Sequence, residues 1–469
     1  MMIKSLRKWY FSFGFQGAAY GMASLVISLF VVTVLGGNVA SASLTMGMFS
    51  CGSLIGSLFT GIFLDKYPYF FATVFVSASM DSIISIFMWQ SHYITLYYML
   101  SLAMGFFLSM TSPAIITYLN KKFDNETQRK EVNVLNMFNS VGTTIGIFGG
   151  GGWLTMTLPF LNEDAEKMRW IFAIVALLFG ISAAFAAVYL KRKSKNIGHV
   201  SRRFRINVHS LAGNIMSLPH NVISPFKASN FKPETKRYML GLFTIFFGAN
   251  MFFTPFPIFL RNVLGIPNGF IFVIYGFGSI FTNIAYLFTN RAMSRFRDMS
   301  IMGVVIWIRI SMFILIAFIG LFGQDLFGIW LTIAFFMIIG FTWPFFYIPA
   351  TVQVTALALP ENRGKIIGLF NMVINLGAIS SSFVAGYVAL RFGYFVAFSV
   401  GALFLFIGSG ILRKIALTHP IRRDLIKDEK KKMFADLRDI MTKNGKRLKW
   451  EIWKLLSLKR KSAASHLDH

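Results

Sequence analysis

The chain has 469 residues, 55% of them hydrophobic and 16% aromatic, and only 14% charged. Soluble domains carry roughly 25% charged residues, so the composition excludes a water-soluble globular protein and leaves an integral membrane protein. The formal net charge of +27 would suit nucleic acid, but most of the 46 Lys and Arg fall in alternate loops and in the C-terminal tail, as membrane topology demands, and nucleic acid is excluded as a partner.

Twelve apolar runs are long enough to span a bilayer, which takes ~20 residues each. The first, 9–35, follows the basic Lys4, Arg7 and Lys8, is too long for a signal peptide and carries Gln16 and Tyr20. The second, 39–64, contains the lone Cys51, so no intramolecular disulfide is expected, and it leads into Asp65 and Lys66. The third, 70–90, holds Asp81 at mid-depth; the fourth, 94–119, has Pro113. A basic connector with Arg129 precedes the fifth, 132–158, which opens on Asn133, Asn136 and Asn139 and continues into a glycine series. The sixth, 170–190, ends the first half.

Residues 191–237 read as a polar, basic linker with amphipathic spacing in part, which fits a helix lying on the inner leaflet. The second half supplies runs at 238–260, 269–289, 299–322, 327–352, 366–390 and 394–412. These carry Asn250; Tyr275, Asn283 and Tyr286; Arg309; Trp343, Pro344, Tyr347 and Pro349; and Asn371 and Asn375. The tail, 413–469, has apolar residues at helical spacing amid Lys and Arg, as expected of a cytoplasmic helix on anionic lipid. Nearly all basic residues fall on one side if both termini are cytoplasmic, which predicts a multi-pass protein of the cell membrane.

The halves are related. Gly105, Phe106, Glu126, Lys130, Asn136, Met137 and Gly142 recur, at one constant offset, as Gly340, Phe341, Glu361, Lys365, Asn371, Met372 and Gly377. A repeated helix pair at half-chain spacing is a signature of transporters built from two related halves. The domain reading is therefore a six-helix bundle at 1–190, the linker at 191–237, a second bundle at 238–412 and the tail at 413–469.

Three motifs then carry a resemblance to the major facilitator superfamily. After the second helix that family has Gly, three residues, Asp, a basic residue, one residue, Gly and a second basic residue; Gly61-Ile-Phe-Leu-Asp65-Lys66 matches the first part, and Tyr67-Pro68-Tyr69 departs from the rest. On the fifth helix, Gly142, Gly146, Gly149, Gly150 and Gly151 match the glycines of an antiporter motif, with Ile147 in place of its Pro. On the fourth helix the Arg that such motifs link to proton coupling is Ser101 here.

The resemblance implies an all-α membrane fold of twelve helices in two pseudo-symmetric six-helix bundles. It also implies a secondary active or facilitative transporter working by alternating access, with helices 1, 4, 7 and 10 around the cavity. Asp65, Lys66, Arg129 and Arg363 would then form the cytoplasmic gate. The cavity candidates are Gln16, Tyr20, Asn136, Asn250, Tyr275, Trp343, Tyr347, Asn371 and Asn375, uncharged polar or aromatic groups that suit a small organic solute. Export of an amphipathic compound, uptake of a neutral metabolite and a transporter-like sensor are the open functional readings. Asp81 and Arg309 are coupling or structural charges, Asp81 hydrogen-bonded and neutral, with the proton as a possible partner. A monomer is expected, with no cofactor, no metal and no enzymatic activity, since no metal-ligand cluster or catalytic set lies in the spanning runs.

Overall fold

The computed structural model describes residues 8–66, 69–122, 125–157, 164–190, 233–296, 298–322, 325–357 and 363–418, and every element among them is helical. The first half comprises α1 (Tyr10–Thr33), α2 (Val39–Lys66), α3 (Phe70–Gln90), α4 (Ile94–Lys122), α5 (Asn125–Thr155) and α6 (Asp164–Phe185), the last extended by a π turn, Ala186–Leu190. The second half begins with α7 (Pro233–Asn262). It continues with α8 (Asn268–Arg295), α9 (Asp298–Phe322), α10 (Leu326–Leu357) and an unbroken run, Arg363–Thr418.

Among the described residues ten helices are long and apolar enough to cross a membrane, and the tenth, Gly368–Lys414, has 47 residues. At 1.5 Å per residue it would reach about 70 Å, more than twice a ~30 Å hydrocarbon core. It turns back at Gly393, whose φ of 83° lies in the region only glycine enters freely. The packing shows the reversal. Gly377 lies against Phe243 and Phe246 of α7, and Ser382 Oγ is 3.3 Å from Thr254 Oγ1, so this arm runs with α7. Past the turn, Gly401 meets Gly248 and Gly408 meets Gly241 and Ile245, so the next arm runs against α7. We call the arms α11 (363–392) and α12 (394–418). With α5, whose first turns carry Glu126, Arg129, Lys130 and Glu131, this makes twelve helical rods among the described residues.

Several boundaries differ from expectation. The fifth helix starts at Asn125, not 132, because charged residues at an interfacial helix end keep the backbone helical. The seventh starts inside the expected linker, with Pro233 at its first position and Glu234 in its first turn, both favourable at a helix N-terminus. It is also interrupted at Thr254–Pro255, where Pro removes a backbone donor. The break is filled by rings: Phe252 stacks on Phe313 at 4.0 Å and on Phe256 at 4.7 Å.

Lipid removes most of the hydrophobic drive for helices to associate, so close backbone packing takes over. The duplicated glycines do matching work. A Cβ built on Gly105 would lie 2.0 Å from Phe49 O, holding α4 on α2; one on Gly340 would lie 2.8 Å from Gly278 O, holding α10 on α8. Likewise Gly142 seats α5 on α1, and Gly377 seats α11 on α7.

Pro344 lies inside α10 and cannot donate to Gly340 O one turn earlier. Thr282 Oγ1 of α8 supplies a donor instead, 2.9 Å from that carbonyl. Thr282→Val should therefore cost about 1 kcal/mol. In a Pro344→Ala background, where the backbone donor returns, the cost should shrink; a double-mutant cycle of thermal midpoints in detergent reads the coupling.

Candidate transport pathway

The bundle has two ends: a terminal end, where α1 begins and α12 finishes, and a far end, where α1 passes into α2. Contact between the halves gathers towards the far end. There Arg261 Nη1 donates to Thr33 Oγ1 at 2.5 Å, and Asn268 Nδ2 donates to Asp164 Oδ2 at 3.3 Å. Below this latch run two seams. In one, Gly151 of α5 meets Gly269 and Phe272 of α8, and Phe148 covers Gly276. In the other, Gly386 of α11 meets Ala40 and Ser43 of α2, and Phe383 covers Gly47.

The α5–α8 seam continues as a polar ladder. Thr144 Oγ1 is 2.8 Å from Ser279 Oγ, Asn283 Nδ2 donates to Thr144 Oγ1 at 3.3 Å, and Ser140 Oγ donates to Asn283 Oδ1 at 2.6 Å. One turn further, on the same stripes, Asn136 is exposed and Leu287 is 78% exposed. Because these stripes face the opposite half, their exposure opens onto the space between the halves. Asn371, the duplicate of Asn136, is exposed on the corresponding stripe of α11, with Asn375 half-buried a turn above it. Hydrogen bonds thus join the halves from the far end to the middle of α5, and beyond the last of them Asn136 and Leu287 are exposed.

Trp343 and Tyr347 stack at 5.5 Å. Phe246 of α7 sits edge-on to Trp343 at 6.0 Å, and Phe370 of α11 lies 6.1 Å from Tyr347. Both rings of the pair remain partly open, as a platform for a planar group needs. Behind Trp343 lies Arg309, 3% exposed. Its Nε donates to Thr342 Oγ1 at 3.1 Å and its Nη2 to Ile339 O at 2.8 Å, while the guanidinium lies 5.3 Å from the Trp343 ring and 6.0 Å from Phe253. A hydroxyl, a carbonyl and two aromatic faces hold this cation. Lys cannot reproduce that fork, so Arg309→Lys should lower stability by about 2 kcal/mol, and Arg309→Met by less than about 1 kcal/mol, in thermal melts.

The other candidates are dispersed. Tyr20, on α1, is 37% exposed. Gln16 is buried inside the first bundle, its Nε2 donating to Thr111 Oγ1 at 2.9 Å. Asn250 donates to Phe246 O of its own helix at 2.8 Å. The Tyr275 ring packs on Phe336 at 4.8 Å and its buried hydroxyl has no partner. Asp81 is fully buried, and neither carboxylate oxygen is hydrogen-bonded, contrary to the expected hydrogen-bonded acid. The side chains of Asp65, Lys66, Arg129 and Arg363, and the tail beyond Thr418, lie outside the described residues. The ladder residues Ser140, Thr144 and Ser279 escaped the sequence reading, although four-residue spacing of hydroxyls on both helices was a usable signal. So did Thr33, Asp164, Arg261 and Asn268, where the scarcity of charge in the far-end loops was the clue.

Solved structures of the same architecture come from several transporters. The nucleoside transporter NupG superposes with a TM-score of 0.65 at 16% identity, covering 87% of this chain and 98% of its own. The POT family transporter PepTSo gives 0.68 at 13% identity, with 88% and 98% covered. A bacterial homolog to the human lysosomal transporter Spinster, in an inward-facing and occupied conformation, gives 0.60 at 13%, with 88% and 96% covered. No curated protein matches the sequence. The family model of the Major Facilitator Superfamily matches residues 9–358 and 299–461. Duplicated bundles, paired seams and this match over nearly the whole chain make the protein a multi-pass membrane transporter that belongs to the Major Facilitator Superfamily.

Proposed function

We propose that the chain carries a small, neutral, amphipathic or aromatic solute across the cell membrane by rocking its halves about a site midway along the helices. The observation that carries this is the interface itself: hydrogen-bonded from the far end to Ser140–Asn283, with Asn136 and Leu287 exposed one turn beyond. With both termini cytoplasmic, as the distribution of basic residues favours, this is the inward-open state. The Arg261–Thr33 and Asn268–Asp164 contacts then act as the outer gate. Asp65, Lys66, Arg129 and Arg363 form the inner gate in the opposite state. The protein works as a monomer, with its basic tail on anionic lipid.

The groups that reach the opening are aromatic faces and uncharged amides, which favour a solute without net charge. Export is the leading direction, supported by the antiporter-like glycine series of α5. A second reading, uptake of a neutral ring-bearing metabolite, draws on the Trp343–Tyr347 platform and on the nucleoside specificity of NupG. A thermal-shift screen of amphipathic dyes, nucleosides and sugars identifies the solute, since a ligand at a hundred times its Kd stabilises the fold by about 2.7 kcal/mol. Dye accumulation in a deletion strain supports export. Unchanged dye levels with lost growth on one nutrient would overturn export in favour of uptake.

A further inference from the structure

We infer that a groove on the outside of the first bundle, between α3 and α6, binds one phospholipid with a zwitterionic amine head group. The inference is independent of the solute and of how the halves move.

Small residues make the groove. α3 and α6 pack together in opposite directions. On α6, Ala173, Ala176, Gly180 and Ala184 follow one another at helical spacing along the groove, so no side chain fills the space beside α3. Ser82 of α3 gives its hydroxyl to Ala176 O at 2.7 Å, which satisfies that group within the protein. Leu177, 64% exposed, rises as a wall. The space is about 520 Å³, within the ~300–1,000 Å³ of small-molecule sites. From Ala173 to Ala184 it runs about 16 Å at 1.5 Å per residue, the depth of one leaflet of a ~30 Å hydrocarbon core. An acyl chain is the apolar body of that length that a membrane offers.

The mouth of the groove selects the head group. Where α3 finishes and α6 begins, Trp89 and Trp170 pair at 5.0 Å, as aromatic residues do at the membrane interface. Arg169, one turn before Ala173 on the same stripe, is half-buried. Its Nη1 donates to Trp89 O and Ser91 O, each at 3.0 Å, and its guanidinium lies 5.5 Å from the Phe30 ring. These contacts fix a cation at the mouth, with Nε and Nη2 still able to donate. A phosphate diester is the anion a lipid presents at that depth, and a guanidinium suits it.

Glu166 is exposed a turn further out on the same face. Arginine then carboxylate, ordered outwards from the acyl chain, matches phosphate then ammonium in a zwitterionic head group. A head group with net negative charge would meet Glu166 and Asp164, both exposed, with like charge. Lys167 does not offset them: it is buried and, two positions from Arg169, does not share its face.

The test uses full-length protein in detergent, stripped of lipid and offered equal amounts of phosphatidylethanolamine and phosphatidylglycerol with the same acyl chains. Native mass spectrometry counts the lipids retained. We expect one tightly held lipid, with phosphatidylethanolamine favoured by about fivefold, the most an exposed charge pair supports. Glu166→Gln should bring that preference to about one. Gly180→Leu should fill the groove and abolish retention. A Cβ at that position meets Ser82 Oγ at 3.5 Å, an ordinary contact, so the helices keep their places. No retained lipid in wild type, unchanged retention in Gly180→Leu, or phosphatidylglycerol held as well as phosphatidylethanolamine overturns the proposal. Should Gly180→Leu not fold, photolabelling of wild type in vesicles decides the matter. Phosphatidylethanolamine with a diazirine on its acyl chain should mark peptides covering 82–89 and 173–184 above all other membrane-facing segments. Labels spread evenly over those segments mean annular lipid only and overturn the site.

Discussion

Covalent closure of the α5–α8 seam is expected to abolish transport, reversibly. Ser140 Oγ and Asn283 Oδ1 are 2.6 Å apart, on opposite halves, at the last rung of the described ladder. In a Cys51→Ser background, Ser140→Cys with Asn283→Cys can be joined by oxidation or by a short bifunctional reagent. Alternating access requires this seam to open once per cycle. Native rungs of this kind are worth about 0.6–1.7 kcal/mol each, so thermal motion breaks the ladder; a covalent bond is not broken. Transport of the solute found by thermal shift should fall to background and recover with reductant. The control is Ser12→Cys with Ser182→Cys, whose hydroxyls lie 3.1 Å apart within the first half. That link should leave transport intact, because each bundle moves as a body. Full activity in the 140–283 crosslinked protein would refute rocking about this seam.

Gly146→Leu should be the most damaging single substitution in the first bundle. A Cβ there would lie 2.0 Å from Ala18 O, a backbone atom that cannot swing aside. The helices cannot part locally either, because Gly14, Gly17, Gly21 and Gly142 hold the same contact along its length. Overpacking against fixed backbone should cost about 3 kcal/mol or more, and little monodisperse protein should survive size exclusion. Gly152→Ala and Gly410→Ala meet nothing within 4 Å, and should change the thermal midpoint little or raise it, since Ala favours helix. The glycines that resemble an antiporter motif therefore divide in two. Gly142 and Gly146 hold α5 inside its own bundle, whereas Gly150 and Gly151 belong to the seam with α8.

Those glycines also mark how far the sequence could be read. The spanning runs and the matching roles of Gly105 and Gly340 were legible, because spanning length and repetition are one-dimensional signals. The direction each helix faces was not. In lipid an apolar side chain can face either a neighbour or the membrane, so periodicity does not separate inside from outside. Trp343 and Tyr347 could be picked as reachable aromatics, but their mutual stacking and the seat of Trp343 on Arg309 depend on the rotation of α10. Gln16 drew attention as an isolated polar group, yet its partner Thr111 lies three helices further along the chain. The turn at Gly393 was legible to within a few residues, since the runs 366–390 and 394–412 leave only Arg391-Phe392-Gly393 between them.

The two seams have an evolutionary consequence. Phe148 on Gly276 and Phe383 on Gly47 are the same contact made twice, each joining the second helix of one half to the fifth helix of the other. A half-length ancestor would have presented both surfaces on one chain. Two copies would have met through a self-complementary, twofold interface, with no need of a linker. Gene fusion then inherited a working dimer interface and freed each copy to diverge. The Ser140–Asn283 ladder on one seam, with Asn375 at the place of Ser140 on the other, is what that freedom looks like in the present chain.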